Sequence, residues 1–275
     1  MPLSALDLYR DILPKTNCGE CGFPTCLAFA SMVVAEQLPL NKCPYLSSET
    51  VAACDAILQA QYAAGKWTKR DKAQDALDWA KQRSASMNIS DLPPRIGGRL
   101  IEINGQPALE LPYFNNFVLI TPEAVTHPDG TPLTHWEQVF VLNHMAQGGR
   151  VDPTGKWKGL VEFPNTVSKI KSMKSHVEDP LKQTFRGNVD GLLAAAAVLG
   201  GKNMTGQFGS ADAAVYFQVL PKVPVMLLFW DAEPADNFEA EAKLLFDETI
   251  TEHLDIESIM FLSERLRQLL CKSTD

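Results

Sequence analysis

No stretch of this sequence is apolar for long enough to cross a membrane. The longest apolar runs, Gly191–Gly201 and Val223–Trp230, are well short of the ~20 residues that a membrane-spanning helix needs. The N-terminus also lacks the basic opening of a secretory signal, since Asp7 and Asp11 come early in the chain. We therefore expect a soluble, cytoplasmic protein that does not span a membrane.

Positive charge is scarce as well. The 275 residues include 25 Lys and Arg against 33 Asp and Glu, which gives a formal net charge of −8. Nucleic-acid binding needs a basic surface that neutralises phosphates, so we expect no nucleic-acid partner. The hydrophobic fraction of 45% is ample for one or two domains with a real core.

Several cofactor fingerprints are missing from the sequence. It has no C-x3-C-x2-C motif of radical S-adenosylmethionine enzymes, no second ferredoxin cysteine set, no Asp-x-His-x2-Gly cobalamin motif and no Gly-x-Gly-x2-Gly dinucleotide loop. No acid–base pair or nucleophile constellation is visible either. The sequence therefore does not decide whether the protein is an enzyme.

The chain does contain a concentrated set of cysteines. Four of them follow the spacing C-x2-C-x4-C-x16-C, with Pro44 directly after the last: Cys18, Cys21, Cys26 and Cys43. Gly19 and Gly22 each follow a cysteine, where the backbone can turn tightly and direct N–H groups at sulfur. An anionic cluster held by thiolates needs such donors. This stretch predicts a [4Fe–4S] site.

Three alternative roles for these cysteines compete with a cluster. A disulfide framework is typical of short secreted chains, which this is not. A zinc site of four thiolates usually presents two C-x2-C pairs, whereas here the second pair is replaced by Cys26 and the distant Cys43. Unliganded structural cysteines are usually buried singly, and we interpret Cys54, which lies among alanines, in that way.

The motif also resembles a known domain. The run Asn17-Cys18-Gly19-Glu20-Cys21-Gly22-Phe23-Pro24-Thr25-Cys26, followed by Cys43-Pro44, is similar to the four-cysteine [4Fe–4S] domain of two protein groups. These are the large subunit of corrinoid iron–sulfur proteins and the B subunit of Rnf-type electron-transport complexes. The resemblance implies that all four cysteines bind iron. One departure is visible, since the domain often has a glycine where this chain reads Ala35-Glu36-Gln37-Leu38-Pro39.

The composition predicts three segments: a [4Fe–4S] domain at 1–46, a helical connector and linker at 47–94, and an α+β domain at 95–275. The first domain is predicted to be all-helical and the last to contain a mixed, largely antiparallel sheet with packed helices. Alternating residues around Asn104-Gly105 predict a hairpin over 98–111. We also predict long helices at Pro180–Leu199, Phe238–Leu254 and Ile256–Cys271. About 180 residues follow the linker, too few for a TIM barrel plus a corrinoid module.

The later part of the chain resembles a family of unknown function from anaerobic bacteria and archaea. The similarity lies in short runs: Pro112-Tyr113-Phe114, Gly155-Lys156-Trp157, Val223-Pro224-Val225, Phe229-Trp230-Asp231 and Leu245-Phe246-Asp247. That family has no established chemistry to transfer.

Two weaker candidates for chemistry lie outside the cysteines. The spacing of His127, His135, His144 and His176 matches no recognised metal pattern, so we interpret them as surface or capping residues. Asp231 and Glu233 follow an apolar strand, where side chains either line a site or cap a turn.

Two functions fit these observations. In the first, the protein is an electron-transfer module of an anaerobe, whose cluster serves a redox protein partner or a small-molecule cofactor at the C-terminal domain. In the second, the cluster is structural or redox-sensing, and the protein is an interaction module without turnover.

Overall fold

The computed structural model describes residues 3–67, 72–233 and 238–272. The chain divides into two compact units, Met1–Asp75 and Ala76–Asp275, each with its own hydrophobic core. The division falls inside the stretch 47–94, for which the sequence predicts a helical connector and linker.

The first unit is helical, as the sequence predicts for its N-terminal domain. It consists of α1 (Ala5–Asp7), a π-helical turn (Leu8–Ile12), α2 (Cys26–Glu36), a 3-10 turn (Leu40–Lys42) and α3 (Ser48–Ala63). These elements enclose a small core in which Phe29, Val33 and Leu58 are almost fully buried.

Helix α2 begins and ends at residues with clear capping roles. The Thr25 hydroxyl accepts a hydrogen bond from the Ala28 N–H at 3.1 Å and so acts as the N-cap. At the other end Gln37 has a φ of 54°, in the left-handed region. This is the segment in which the resembled domain often has glycine, so here a glutamine makes the turn at a cost of roughly 1–2 kcal/mol.

The second unit contains two antiparallel sheets. The first is a meander of β1 (Arg99–Ile103), β2 (Gln106–Tyr113), β3 (Asn116–Ile120) and β4 (Val125–Thr126). The second sheet has the order β5-β9-β8-β7-β6, and its strands are β5 (Trp157–Gly159), β6 (Lys202–Asn203), β7 (Ala213–Leu220), β8 (Val223–Trp230) and β9 (Glu241–Asp247). With its helices, this arrangement confirms the predicted α+β class.

The helices that follow α3 are α4 (Lys72–Ser84), α5 (Pro93–Ile96), α6 (His135–Gln147), α7 (Val167–Met173), α8 (Asp179–Phe185), α9 (Val189–Val198) and α10 (Ile256–Lys272). Among them, the longest are α4, α6 and α10. The amphipathic pattern of the sequence predicts a helix from Lys69 to about Met87, and its predicted start lies outside the described residues. Throughout the described ranges, no helix is both long and apolar enough to serve as a transmembrane span.

The predicted hairpin at 98–111 is confirmed. Asn104 and Gly105 have φ values of 51° and 77°, and Ile103 lies opposite Gln106 across the two-residue turn. Positive φ at both central residues gives the turn the twist of the flanking strands, which is why Asn-Gly is favoured there.

Two of the predicted helices are wrong. The stretch predicted as a helix at 238–254 contains strand β9, in which Ala242, Leu244 and Phe246 are buried with the two-residue period of a strand. The stretch 180–199 is divided between α8 and α9. Gly187, with a φ of 71°, ends the first part, and the Asn188 side chain accepts a hydrogen bond from Gly191 N–H to start the next.

A buried carboxylate holds α6, α10 and the first sheet together. Glu137 Oε1 accepts hydrogen bonds from the Tyr113 hydroxyl at 2.8 Å and from Arg265 Nε at 2.7 Å. Burial pushes the pKa of Glu137 up, but the hydrogen bonds from Thr134 and Tyr113 outweigh it and hold the pKa below its ordinary value. The charge is thus fully compensated inside the core.

Two histidines are also buried in the second unit. His144 Nδ1 lies 3.1 Å from the His253 carbonyl oxygen, and His253 Nε2 lies 3.0 Å from the Val151 carbonyl oxygen. Because a carbonyl only accepts, these two nitrogens carry the protons. The other two, His144 Nε2 and His253 Nδ1, are buried without a hydrogen-bond partner among the described residues. Burial lowers the pKa of His144 to about 4 and also lowers that of His253.

This pair predicts an acid-sensitive fold. A lowered folded-state pKa means that stability is fully present above about pH 6.5 and is lost as the pH falls towards 4, where the unfolded chain binds more protons. For His144 the loss is on the order of 3 kcal/mol. Chemical denaturation at a series of pH values measures it. The variant His144→Phe should flatten the profile between pH 6.5 and 4, whereas His135→Phe at an exposed position should not.

The packing of α4 predicts where the second unit can be cut. Leu77, Ala80 and Ile89 are buried in its core, although they precede the predicted domain start at 95. A protein starting at Ala76 should fold cooperatively without iron, because it contains none of the four clustered cysteines. One starting at Asp91 should be less stable by about 2 kcal/mol for each lost Leu or Ile. Thermal melts of both compare them, and equal melting temperatures would contradict this expectation.

Candidate metal centre

The four cysteines of the motif occupy one part of the first unit. Cys18 is exposed and Cys21 half-buried in the loop before α2, Cys26 is the first residue of α2, and Cys43 follows the 3-10 turn. Cys26 and Cys43 are each 7% exposed and belong to the core. None of the four is in a disulfide. The set therefore has two ligand candidates anchored in the core and two in a loop.

The loop between Cys18 and Cys26 is shaped by backbone turns. Gly19 and Gly22 have φ values of 78° and 86°, and Gly22 N–H donates to the Gly19 carbonyl oxygen at 2.9 Å. A side chain at either position would be strained, so glycine follows a cysteine twice.

One side chain closes this loop. Asn17, itself left-handed with a φ of 51°, accepts a hydrogen bond from Cys26 N–H through Oδ1 at 2.8 Å. The bond joins the residue before the first cysteine to the third cysteine. Asn17 appears in the sequence motif, but spacing alone gave it no role.

The thiol of Cys43 is influenced by the other three. Burial raises its pKa, the backbone N–H of Tyr45 lowers it, and the thiols of Cys21, Cys26 and Cys18 raise it further. A backbone N–H directed at sulfur is also the kind of donor that an anionic cluster requires.

The loop and the Cys43 segment are joined at the surface. The Tyr45 hydroxyl donates a hydrogen bond to Glu20 Oε1, and this bond raises the pKa of Tyr45. Glu20 lies between the first two cysteines and Tyr45 lies two residues after the fourth. Sequence reasoning missed this pair, because nothing in the spacing of residues 25 apart indicates a contact.

The donor set fits a cluster in kind. Across residues 3–67, 72–233 and 238–272, no three or more His, Cys, Asp or Glu side chains form a group that could hold a single metal ion. A four-iron cluster has a different requirement, because each thiolate binds its own iron and the sulfurs stay farther apart. The four thiols, the glycine turns and the Tyr45 N–H directed at the Cys43 sulfur are groups of the kind that such a cluster uses.

The other two cysteines are not part of the four-cysteine motif. Cys54, in α3, is 4% exposed in the same core, and burial raises its pKa. Cys271 lies in α10, where its sulfur accepts a hydrogen bond from the Thr184 hydroxyl at 3.4 Å.

Of the two acidic candidates, Asp231 holds a loop in place through its side chain, and Glu233 pairs with Phe238 through backbone hydrogen bonds. Asp231 Oδ1 accepts hydrogen bonds from Gly187 N–H and Ala232 N–H, both at 2.7 Å. Asp247, fully buried, accepts from Gly155 N–H at 2.6 Å and from Thr154 N–H at 3.2 Å. Two of the runs that carry the family resemblance, around Gly155 and Asp247, thus contact each other through the Asp247 side chain.

Of the candidate histidines, which the sequence predicts to be surface or capping residues, His144 is instead fully buried. His176 is exposed and lies 3.4 Å from Glu264 Oε1, whereas His144 pairs with His253 in the core. The partner of His144 was not among the predicted candidates, because it lies 109 residues further along the chain.

Comparison with known proteins separates the two parts of the chain. A family model described as "Putative Fe-S cluster" matches residues 13–45. The corrinoid/iron-sulfur protein large subunit of Moorella thermoacetica is 52% identical over 56 residues, which are 20% of this chain and 12% of that protein. The acetyl-CoA decarbonylase/synthase complex subunit gamma of Methanocaldococcus jannaschii is 44% identical over 46 residues, 17% of this chain and 9% of that subunit.

A further gamma subunit, from Methanosarcina acetivorans, is 48% identical over 95 residues, which are 34% of this chain and 17% of that subunit. The chain thus spans a small fraction of these relatives. The resemblance of its N-terminal part to corrinoid iron–sulfur proteins is confirmed. No solved structure matches the chain.

The second unit matches a different model. The model described as "Domain of unknown function (DUF3786)" covers residues 88–269, which is more than half of the chain. This agrees with the predicted resemblance to a family of unknown function. The chain belongs to the DUF3786 family and has an iron–sulfur domain in front of the shared region.

Proposed function

We propose that the N-terminal domain binds one [4Fe–4S] cluster through Cys18, Cys21, Cys26 and Cys43, and that the protein is an electron-transfer module. The observation that carries the proposal is that hydrogen bonds join the segments holding these four thiols: Asn17, beside Cys18, accepts from Cys26 N–H, and Glu20, beside Cys21, accepts from Tyr45, two residues after Cys43. Similarity over residues 13–45 to an iron–sulfur family supports it. When bound, the cluster supplies one-electron redox chemistry.

The surrounding residues suit that role. Cys18 is exposed, so one side of the site faces solvent, where a redox partner can approach. Phe23 and Phe29 pack with ring centroids 5.8 Å apart beside the buried cysteines and exclude water there. Asn17 fixes the loop through Cys26 N–H, which holds the first and third ligands in position. Exclusion of water and hydrogen bonds near sulfur are the main ways in which a protein sets a cluster potential.

A protein partner for the electrons is part of the proposal. The relatives named above are subunits of a complex or the large subunit of a corrinoid/iron-sulfur protein. The similarity to them includes the cysteine domain, so we infer that this domain exchanges electrons with another protein or with a small-molecule cofactor at the second unit. A reducing cytoplasm, and an anaerobic owner, suit a cluster with an exposed ligand.

The ligand assignment predicts different results for two buried cysteines. Cys43→Ala should lose or degrade the cluster because it removes an iron ligand, whereas Cys54→Ala removes a thiol of similar burial from the same core. Iron and sulfide assays on anaerobically purified protein measure the effect. We expect about four irons per chain in the wild type and in Cys54→Ala. Stoichiometric zinc instead of iron, or equal iron loss in both variants, would overturn the assignment.

The electron-transfer role predicts reversible reduction. A redox titration followed by electron paramagnetic resonance should show an S = 1/2 signal on reduction, at a potential within roughly −700 to +450 mV. The signal should disappear and return over repeated cycles, because a carrier must survive both states. A cluster that breaks down on its first reduction would instead identify a structural or redox-sensing protein.

A further inference from the structure

The second unit contains a cavity of about 450 Å³ that the cluster chemistry does not use. Its walls are the end of α4 with the segment that follows, the C-terminal half of α6, and the turn between β3 and β4. All of these belong to the second unit. The volume lies in the range of small-molecule sites, about 300–1,000 Å³.

The floor of this cavity is apolar and continuous with the core. Ile89, Val125, Leu142 and Met145 line it, each is at most 8% exposed, and each packs in the main core of the unit. Side chains held in a packed core keep their positions, so the floor is preformed. Met145 adds a polarisable thioether, which favours contact with aromatic rings, whereas the Met87 sulfur already accepts a hydrogen bond from Arg95.

The wall formed by the turn between β3 and β4 offers a ligand few free hydrogen-bonding groups. The Thr121 hydroxyl accepts a hydrogen bond from Ala124 N–H at 3.1 Å and donates to the Ala124 carbonyl oxygen. Its polar groups are therefore already used within the turn. Glu123, at the tip of this turn, is exposed.

The opposite wall supplies donors. Lys81 lines the cavity and makes no ion pair with any residue that the structure describes. Asn88 accepts a hydrogen bond from Ser90 N–H through Oδ1, so its carbonyl oxygen is occupied while its NH2 group stays available as a donor. The rim thus has an ammonium and an amide donor on the α4 side, and one carboxylate, Glu123, across from them.

We propose that this cavity binds a small amphipathic organic acid. An apolar, preferably aromatic, body lies on the floor of Ile89, Val125, Leu142 and Met145. The acidic group of the ligand accepts hydrogen bonds from Lys81 and Asn88. This ligand site goes beyond the proposed electron transfer and stands on the second unit alone, so either can fail without the other.

Three probes with the same ring system and different charge test the ligand class. They are 2-naphthoate, 2-naphthamide and 2-naphthylmethylammonium, titrated into the full-length protein by isothermal titration calorimetry. We expect one site, with 2-naphthoate bound most tightly. Lys81→Gln should weaken 2-naphthoate by about threefold to fivefold, as one partly exposed charge pair would. Glu123→Gln should strengthen it, while Lys171→Gln, at an exposed lysine elsewhere, should change nothing.

Filling the cavity tests its location. Ala85 and Ala124 line it but are exposed, so a larger side chain at either position leaves the core intact. Ala85→Phe and Ala124→Phe should each reduce 2-naphthoate affinity at least about tenfold, which corresponds to a loss of about 1.4 kcal/mol of binding free energy. The melting temperature of the protein should stay unchanged. Ala197→Phe, on the exposed face of α9, is the matched control.

Three results overturn the proposal. Absence of 2-naphthoate binding, or affinity that both filling variants leave unchanged, shows that the cavity is not the site. Tighter binding of the ammonium probe, weakened by Glu123→Gln, shows that the ligand is a cation.

Discussion

Burial of two thiols is the constraint on which the N-terminal unit depends. Cys26 begins α2 and Cys43 follows the 3-10 turn, and both belong to a core built from only a few side chains. Burial raises the pKa of Cys43 and so disfavours the thiolate form that binds a metal. In the proposed cluster, iron would supply compensating positive charge, and the free energy of metal binding would then also be free energy of folding. Folding of this unit and the proposed binding of the cluster therefore depend on each other.

In the second unit, buried carboxylates are compensated by hydrogen-bond donors of the protein itself. Glu137 and Asp247 are both fully buried carboxylates, and each has hydrogen-bond donors on both oxygens. The first joins helices to a sheet, and the second holds the loop before β5 against the end of β9. Because an uncompensated buried charge costs several kcal/mol, such residues fix the positions of the elements around them. This gives a physical meaning to the runs by which the chain resembles its family.

Features set by residues close together in the sequence were predictable, whereas contacts between residues far apart in the sequence were not. The hairpin at Asn104-Gly105 and the cysteine set were predictable, because turn chemistry and ligand spacing are local. Strand β9 was misread as a helix, since its buried Ala242, Leu244 and Phe246 follow an acidic stretch that looks like a solvated helix face. The contacts of Tyr45 with Glu20, and of His144 with His253, depend on chain folding that no local pattern encodes.

The lengths of the edge strands bear on how this protein behaves at high concentration. In the described residues the five-stranded sheet ends in β5 and β6, of three and two residues, and the other sheet has the two-residue β4 at one side. Edges this short give another chain little to pair with. Strand β1 is longer, but Arg99 and Glu102 on it place charge along the open side. Strand exchange and fibril growth are disfavoured at three of the four margins, and β1 is where an added strand would have to dock.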